Sequence, residues 1–452
     1  TRYNAELPNF FTAEYRQQTH DLNQSWLDKA LALDGSRLDG PGRISYEIFV
    51  RERKLALESE KYPTWMLPID QFNNIATFFP MLGSGTSAQP FKTVEDYDNW
   101  LKRGAAIPAI YDQAIANMRE GMKAGVVQPK PLMVKVIPQL DAIINDDPSK
   151  TTFWAPIANM PKDFSAEDQK RLTDAYRVMI AEQLMPAYKR LRAFVADEYL
   201  PAVSLSLLPD GQNWYAFNAK TQTTTDLTPA EIHEIGLSEV ARIHGEMHEV
   251  MKQVGFEGDL QAFFKFMTTD KQFEFKSEKD LLDAYNALRA KIDLKIPEQF
   301  SLLPKAGFEI RPVEPFRAES MAGGQYFPPS EDGTRPGIFY VNTFDLPSRK
   351  SWDAEDLYLH EAIPGHHFQI AIQQELQGVP AFRRFGGETA FAEGWGLYAE
   401  SLGKELGVYT DPYQYFGRLQ GELWRAIRLV VDTGLHSKGW TREQVIEYMK
   451  AN

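Results

Sequence analysis

The chain has 452 residues, 62 of them acidic against 49 basic, giving a formal net charge of −13, and it has no cysteine. That balance, with no sustained run of Lys and Arg, argues against a nucleic-acid surface, and the missing cysteine excludes disulfides, thiolate metal sites and a cysteine nucleophile. Apolar residues at 43% and charged residues at 25% fit a globular protein that buries its core without staples, and no stretch approaches the ~18 apolar residues of a membrane span.

In chain order, the opening TRYNAELPNF lacks an initiator Met and an apolar h-region, as after removal of a signal peptide or after trimming. Apolar residues recur every three or four positions over 10–33, 46–60, 94–123 and 165–195, which predicts helices. His20 in the first of these has no partner pattern and reads as a surface residue. Residues 1–200 form a helical N-terminal region on this reading, and 201–452 carry the chemistry. A strand-like run at 202–208 is followed by a helix over 229–254, opened by Thr228, Pro229 and Glu231 in a capping arrangement. His244 and His248 on that helix are an i, i+4 pair able to bind a metal. They lack a neighbouring His-Glu step and sit on a charged amphipathic helix, so they read as solvated, as does His233. A further helix spans 278–292. Strands are predicted at 308–313 and 337–342, bounded by Pro and Gly, and the Pro- and Gly-rich segment 311–342 reads as a small antiparallel sheet with loops. The run carrying Tyr340 and Asn342 reads either as an edge strand that pairs with an extended substrate or as an ordinary core strand. Helices resume at Ala354 and continue to the end. The fold class is mainly α, a large helical body with a small antiparallel β-sheet beside the helix that holds the candidate metal ligands.

That helix reads LYLHEAIPGHHFQ over 357–369 and holds three of the eight histidines. A hydrolytic zinc site needs neutral nitrogens and a carboxylate on the metal, with an open position for water. It also needs an unbound carboxylate close by to take the water's proton. His360 followed by Glu361 supplies one ligand and that base. In the familiar H-E-x-x-H pattern the second histidine lies one turn on, but position 364 is proline. On an unbroken helix His366 would sit ~120° round from His360, and His367 within ~20° but ~10 Å along the axis. Nitrogens bound to one zinc are at most about 4 Å apart, so neither fits. Pro364 and Gly365 are therefore expected to break or bulge the helix; spacing leaves His366 and His367 as alternatives.

The third ligand is sought on the next helix, ETAFAEGWGLYAESLG, where Glu388, Glu393 and Glu400 are candidates. Small residues around Glu393 permit close helix approach, and Glu400 suits a hydrogen bond to a ligand histidine. Tyr398 on the same helix is either an oxyanion donor or part of a core stripe with Phe391 and Trp395. After the helix 413–434, His436 is either an oxyanion stabiliser or a core residue near Trp440. Arg428 either pairs with Asp432 or, like Arg425, holds a substrate carboxylate. The chain stops in the helical pattern TREQVIEYMKAN without a capping glycine, so the native protein is expected to continue.

The stretch His360-Glu361-Ala362-Ile363-Pro364-Gly365-His366 resembles the H-E-x-x-P-G-H signature of a large, mostly bacterial family of unknown function. Glu393-Gly394-Trp395 with Tyr398 and Glu400, and Asp432 to His436, resemble further pieces of it, and the likeness covers roughly 200–452. Members look like gluzincin-like, zincin-fold metallopeptidases and are often lipoproteins. The resemblance selects His366 over His367 and implies one Zn2+ per chain on His360, His366 and Glu393. The expected function is a zinc-dependent metallopeptidase of the cell envelope or periplasm that cleaves peptides with Glu361 as base, with a lipid anchor expected upstream of Thr1. The alternative is a non-catalytic metal-binding or carrier protein of the envelope; a third is a zinc hydrolase of another amide or ester.

Overall fold

The structure, a computed structural model, describes residues 3–72, 74–199, 207–319 and 321–452. Contacts divide the chain into two compact units, Thr1–Gly211 and Gln212–Asn452.

The first unit is helical. Its main helices are α1 (Ala13–Leu31), α2 (Gly40–Ser59), α3 (Ile75–Gly83), α4 (Val94–Ala124), α5 (Lys130–Ile143), α6 (Ala166–Val178) and α7 (Met185–Asp197). The second begins six residues before the apolar period does, because Pro41 is tolerated in a first turn, where its missing N–H has no partner to lose. The sequence reading passed over α3 and α5, which carry Pro80 and Pro138 inside them. The single helix expected over 165–195 is interrupted by a π-helical segment, Met179–Leu184. Pro186, two residues beyond its end, cannot donate to the carbonyl one turn back, and a widened turn accommodates that loss. The core is aromatic: Phe79 stacks on Trp100 with centroids 4.4 Å apart, and the buried hydroxyls of Tyr97 and Tyr188 donate to the carbonyls of Pro156 and Ala76 at 2.8 and 2.9 Å. Burying those rings without those bonds would cost about 1–3 kcal/mol per hydroxyl.

The second unit holds α8 (Gly211–Thr223), α9 (Pro229–Gln253), α10 (Leu260–Thr269), α11 (Glu278–Asp293), α12 (Ala354–Glu361), α13 (His366–Glu375), α14 (Thr389–Ser401), α15 (Pro412–His436) and α16 (Arg442–Ala451). The Thr228–Glu231 capping box forms as its sequence predicts. A core of Val240, Ile243, Met247, Phe263, Phe416, Leu419 and Ile427 joins α9, α10 and α15. The strand expected at 202–208 falls outside the described residues over 202–206.

The sheet has three strands, β1 (Phe308–Pro312), β2 (Gly324–Phe327) and β3 (Gly337–Val341), in the order β1-β3-β2. It is mixed, not antiparallel: β1 runs parallel to β3 and β2 antiparallel to it. The chain reaches β2 before it returns through the middle, so β3 is paired on both sides. Its all-apolar run suits that central place, since both faces are buried.

Candidate metal site

The short helix α12 ends at Glu361 and α13 begins at His366. Between them the Ile363–Pro364 peptide is cis, and the Pro364 carbonyl accepts from the Trp395 indole N–H at 2.7 Å, which ties the break to α14. Gly365 is packed against the backbone carbonyls of Leu359 and His360 so closely that any Cβ would overlap them. The expected interruption brings His366 beside His360, ring centroids 4.6 Å apart and nearly perpendicular. From α14, Gly396 lies flat on the His360 ring; a Cβ there would come within 2.6 Å of it.

Three side chains converge. The Nε2 of His360 lies 3.5 Å from one oxygen of Glu393, and the Nε2 of His366 lies 3.7 Å from the other. All three ligand atoms fall within 4.8 Å of one another. Zinc bonds of about 2.0–2.2 Å require ligand atoms up to ~4 Å apart, so modest contraction closes the set around one ion. The Nδ1–H of His360 donates to Oε1 of Glu400 at 2.7 Å, which leaves Nε2 as the nitrogen that faces Glu393. Arg425 donates to the same oxygen at 2.9 Å. Glu400 is fully buried, whereas the Glu393 side chain is 59% exposed and opens the cluster to solvent.

Electrostatics agree with a cation site. Burial, reinforced by the neighbouring His360, lowers His366 to about 4, so it is a neutral imidazole with a free lone pair. Burial also lowers His360, but the carboxylates of Glu393 and Glu400 outweigh it and carry the imidazole up to about 9; a bound cation competes with that proton. Glu361 is buried beside the cluster without belonging to it. Burial above all, with the charge of Glu393, raises its carboxyl to about 7, while the backbone N–H of Tyr326 on β2 donates to it.

Residues 1–452 match the family described as "Bacterial protein of unknown function (DUF885)". The chain belongs to this family. No curated protein matches it significantly. The crystal structure of a "putative lipoprotein" from Colwellia psychrerythraea is similar to this DUF885 chain, with 25% identity and a TM-score of 0.90 over 99% of this chain and 79% of that one. A "putative lipoprotein of unknown function" from Shewanella oneidensis shares the fold at 17% identity and a TM-score of 0.66, over 99% and 80% of the two chains. No described helix is long and apolar enough to cross a membrane.

In this DUF885 chain the other residues singled out by the sequence fall elsewhere. His367 faces away from the cluster: its Nε2–H donates to the Ala306 carbonyl at 3.0 Å, and its Nδ1 accepts from the Tyr326 hydroxyl at 2.9 Å. Tyr398 is neither core nor beside the ligands. It is 52% exposed and lies five residues, or about 140° of helix, round from Glu393. His436 is not gathered to the site either. It stacks near Tyr215 at 5.4 Å and lies 3.9 Å from Asp432, eleven residues or about 16 Å along α15 from Arg425. Asp432 accepts from the Tyr215 hydroxyl at 2.6 Å, so the expected Arg428–Asp432 pair does not form, and Arg428 is exposed.

Tyr340 and Asn342 do not face a substrate. Tyr340 is buried under the Arg317 guanidinium, 4.7 Å from its ring. Asn342 is fully buried and donates to the carbonyls of Ala318 and Met321 at 2.7 and 2.9 Å. Their strand is the centre of the sheet, not its edge. Among the remaining histidines, His20 pairs with Glu60 at the surface. His248 bonds the His244 carbonyl, not a shared ion. His233, expected at the surface, is buried with its Nδ1 2.8 Å from the Thr433 hydroxyl.

Sequence reasoning missed Tyr326 as the backbone partner of Glu361 and the acids behind the cluster, the half-buried Asp353 and the buried Asp356. Asp356 had one legible signal: it stands a turn before His360 on the same face of α12.

Proposed function

We propose that the chain is a zinc-dependent hydrolase, most simply a metallopeptidase of the gluzincin-like, zincin-fold kind that the His360–His366 signature suggests. The observation that carries this reading is the convergence of two imidazole Nε2 atoms and one carboxylate beside an uncommitted carboxylate, Glu361. His360, His366 and Glu393 would hold one ion. When bound, zinc supplies a Lewis acid that polarises a carbonyl and makes water acidic near neutral pH. Glu361, raised to about 7, is matched to accept a proton at that pH and hand it on to a leaving amine. It follows His360 directly and points ~100° round the helix from it, so it does not compete for the ion.

The likeness of the sheet edge to a peptide-binding edge supports a peptide substrate, with one correction to the strand. On β2, Gly324 and Tyr326 turn their backbone groups away from β3 and toward α12, since Asn342 of the other strand bonds Gly323 and the Tyr326 N–H goes to Glu361. An extended peptide pairing there would pass alongside the base. Export to the envelope as a lipoprotein is part of the proposal, by analogy with the Colwellia psychrerythraea neighbour. Metal carriage is the second reading, and the 59% exposure of the Glu393 side chain favours it, because an open ligand releases its ion readily.

Glu361→Gln separates the two. It keeps the shape and removes the basicity. In a peptide-library cleavage assay the hydrolase reading expects zinc content near wild type and at least ~10²-fold less cleavage. Unchanged cleavage removes Glu361 as the base, and loss of zinc makes it a ligand.

A further inference from the structure

Arg349 lies in the link between β3 and α12. Its guanidinium makes no hydrogen bond and no ion pair among the described residues, and its Nε is buried without an acceptor. A guanidinium carries five donors, and a buried donor with no partner is an exception in folded proteins. Cations around it are committed: Arg317 pairs with Glu314, Lys350 with Glu274 and Arg425 with Glu400. Arg425, which the sequence offered for a substrate carboxylate, is thereby occupied, and it also bonds the Gly421 carbonyl at 3.0 Å. Asp353, four residues on from Arg349, lies in the field of its charge but is not paired with it.

The start of β2 places Arg349 relative to the base. A Cβ on Gly323 would lie 3.4 Å from Nη1 of Arg349 and 3.7 Å from one methyl of Leu357. A Cβ on Gly324 would lie 3.1 Å from the other Leu357 methyl and 3.2 Å from Cγ of Glu361. Leu357 therefore stands between Arg349 and Glu361. It precedes Glu361 by four residues, ~6 Å along α12. This end of β2 opens to solvent: Ala322 is exposed, and Gly323 and Arg349 are half-buried. Gly323 has no side chain to shield the guanidinium.

We propose that Arg349 binds a carboxylate of the peptide substrate, at its free C-terminus or on an acidic side chain, about two residues from the bond that is cleaved. A guanidinium fork holds a carboxylate through two parallel N–H···O bonds. An extended chain advances ~3.3 Å per residue, so the ~6 Å from Glu361 to the level of Leu357 is about two residues of substrate. The hydrolysis keeps its balance: water breaks the amide C–N bond, the acyl carbon takes the hydroxyl and the leaving nitrogen takes the proton. This inference rests on the hydrolase reading above and names its substrate class.

The test uses the zinc-loaded full chain and a synthetic peptide pool of mixed sequence. The pool is made once with free C-terminal carboxylates and once with C-terminal amides, and mass spectrometry identifies the cuts. Wild type should cleave the acid pool at least ~10-fold faster than the amide pool, about the effect of one charged hydrogen bond, with cuts about two residues from the C-terminus. Arg349→Gln should bring that ratio to ~3 or less, through KM more than kcat on a single peptide from the pool. Arg349→Lys keeps a charge without the fork and should lower the ratio at least ~3-fold. A role of Arg349 in folding alone would slow both pools together and leave the ratio at the wild-type value, which overturns the inference. If Arg349→Gln does not fold, an unchanged ratio in Arg349→Lys overturns it equally. Cuts in the amide pool placed two residues from Asp or Glu, and lost in the variants, support the inference with the side chain as the source of the carboxylate. Equal cleavage of both pools by wild type, without preference for Asp or Glu, overturns it and leaves the hydrolase reading standing. A wild type that cleaves neither pool defeats that reading, and this inference with it.

Discussion

His366 and His367 are adjacent in sequence and opposite in role. The first presents Nε2 to Glu393 and makes no hydrogen bond through its buried Nδ1. The second is 1% exposed and spends both nitrogens on Ala306 and Tyr326. Substitution should separate them. His366→Ala should abolish zinc binding and leave the melting transition of the metal-free protein nearly unchanged. His367→Ala should retain zinc binding and destabilise the fold by roughly 2–4 kcal/mol, from two lost hydrogen bonds and a cavity. Isothermal titration and denaturant unfolding read the two effects, and the opposite pattern would exchange the roles. At this scale the convergence of His360, His366 and Glu393 was legible because a His-Glu step, a helix-breaking Pro-Gly and a carboxylate helix are local patterns. Tyr340, Asn342, Tyr398 and His436 were each left with two readings, because their roles depend on which strand is central and which helix face turns outward, and neither is local. Tyr326 was invisible for the same reason: it acts on Glu361 through a backbone N–H, which any residue type would supply.

At the scale of elements, the site is made by two helix ends and one close crossing. Gly365 packs against the carbonyls of Leu359 and His360, and α14 lies against His360 through Gly396. An alanine at position 396 raises helix propensity by about 1 kcal/mol, yet its Cβ would meet the His360 ring at 2.6–3.0 Å. The contact prevails, because the ring is held from behind by Glu400 and cannot retreat. Gly396→Ala is therefore expected to weaken zinc binding by at least ~10-fold, comparable to losing a ligand's support, while circular dichroism shows no loss of helix. Wild-type affinity in that variant would mean that the α12–α14 spacing is looser than the structure has it. The long helices were legible from their period, with ends displaced by a few residues. Two features were not. The π-helical turn at Met179–Leu184 leaves the apolar period intact. The mixed sheet depends on chain order, because strand patterns alone do not reveal whether β3 pairs with one neighbour or two.

At the scale of the molecule, His360, His366 and Glu393 all lie in the unit Gln212–Asn452. The ion pairs that join helices of the other unit, such as Arg190 with Asp112 and Arg192 with Asp141, are about half exposed and contribute at most ~1 kcal/mol each, so its stability rests on its aromatic core. Zinc should accordingly stabilise locally, by ~2.7 kcal/mol at a hundred times its dissociation constant. Hydrogen exchange should show slower exchange over α12, α13 and α14 on adding zinc and no change over α1 to α7; protection spread evenly along the chain would point to a site elsewhere or to a nonspecific effect. The central claim, that His360, His366 and Glu393 hold one ion, is tested most directly by the zinc stoichiometry of purified wild type, His366→Ala and Glu393→Ala after dialysis. The account predicts one zinc per wild-type chain and close to none in either variant. A full equivalent retained by both variants, or none in wild type, would contradict it.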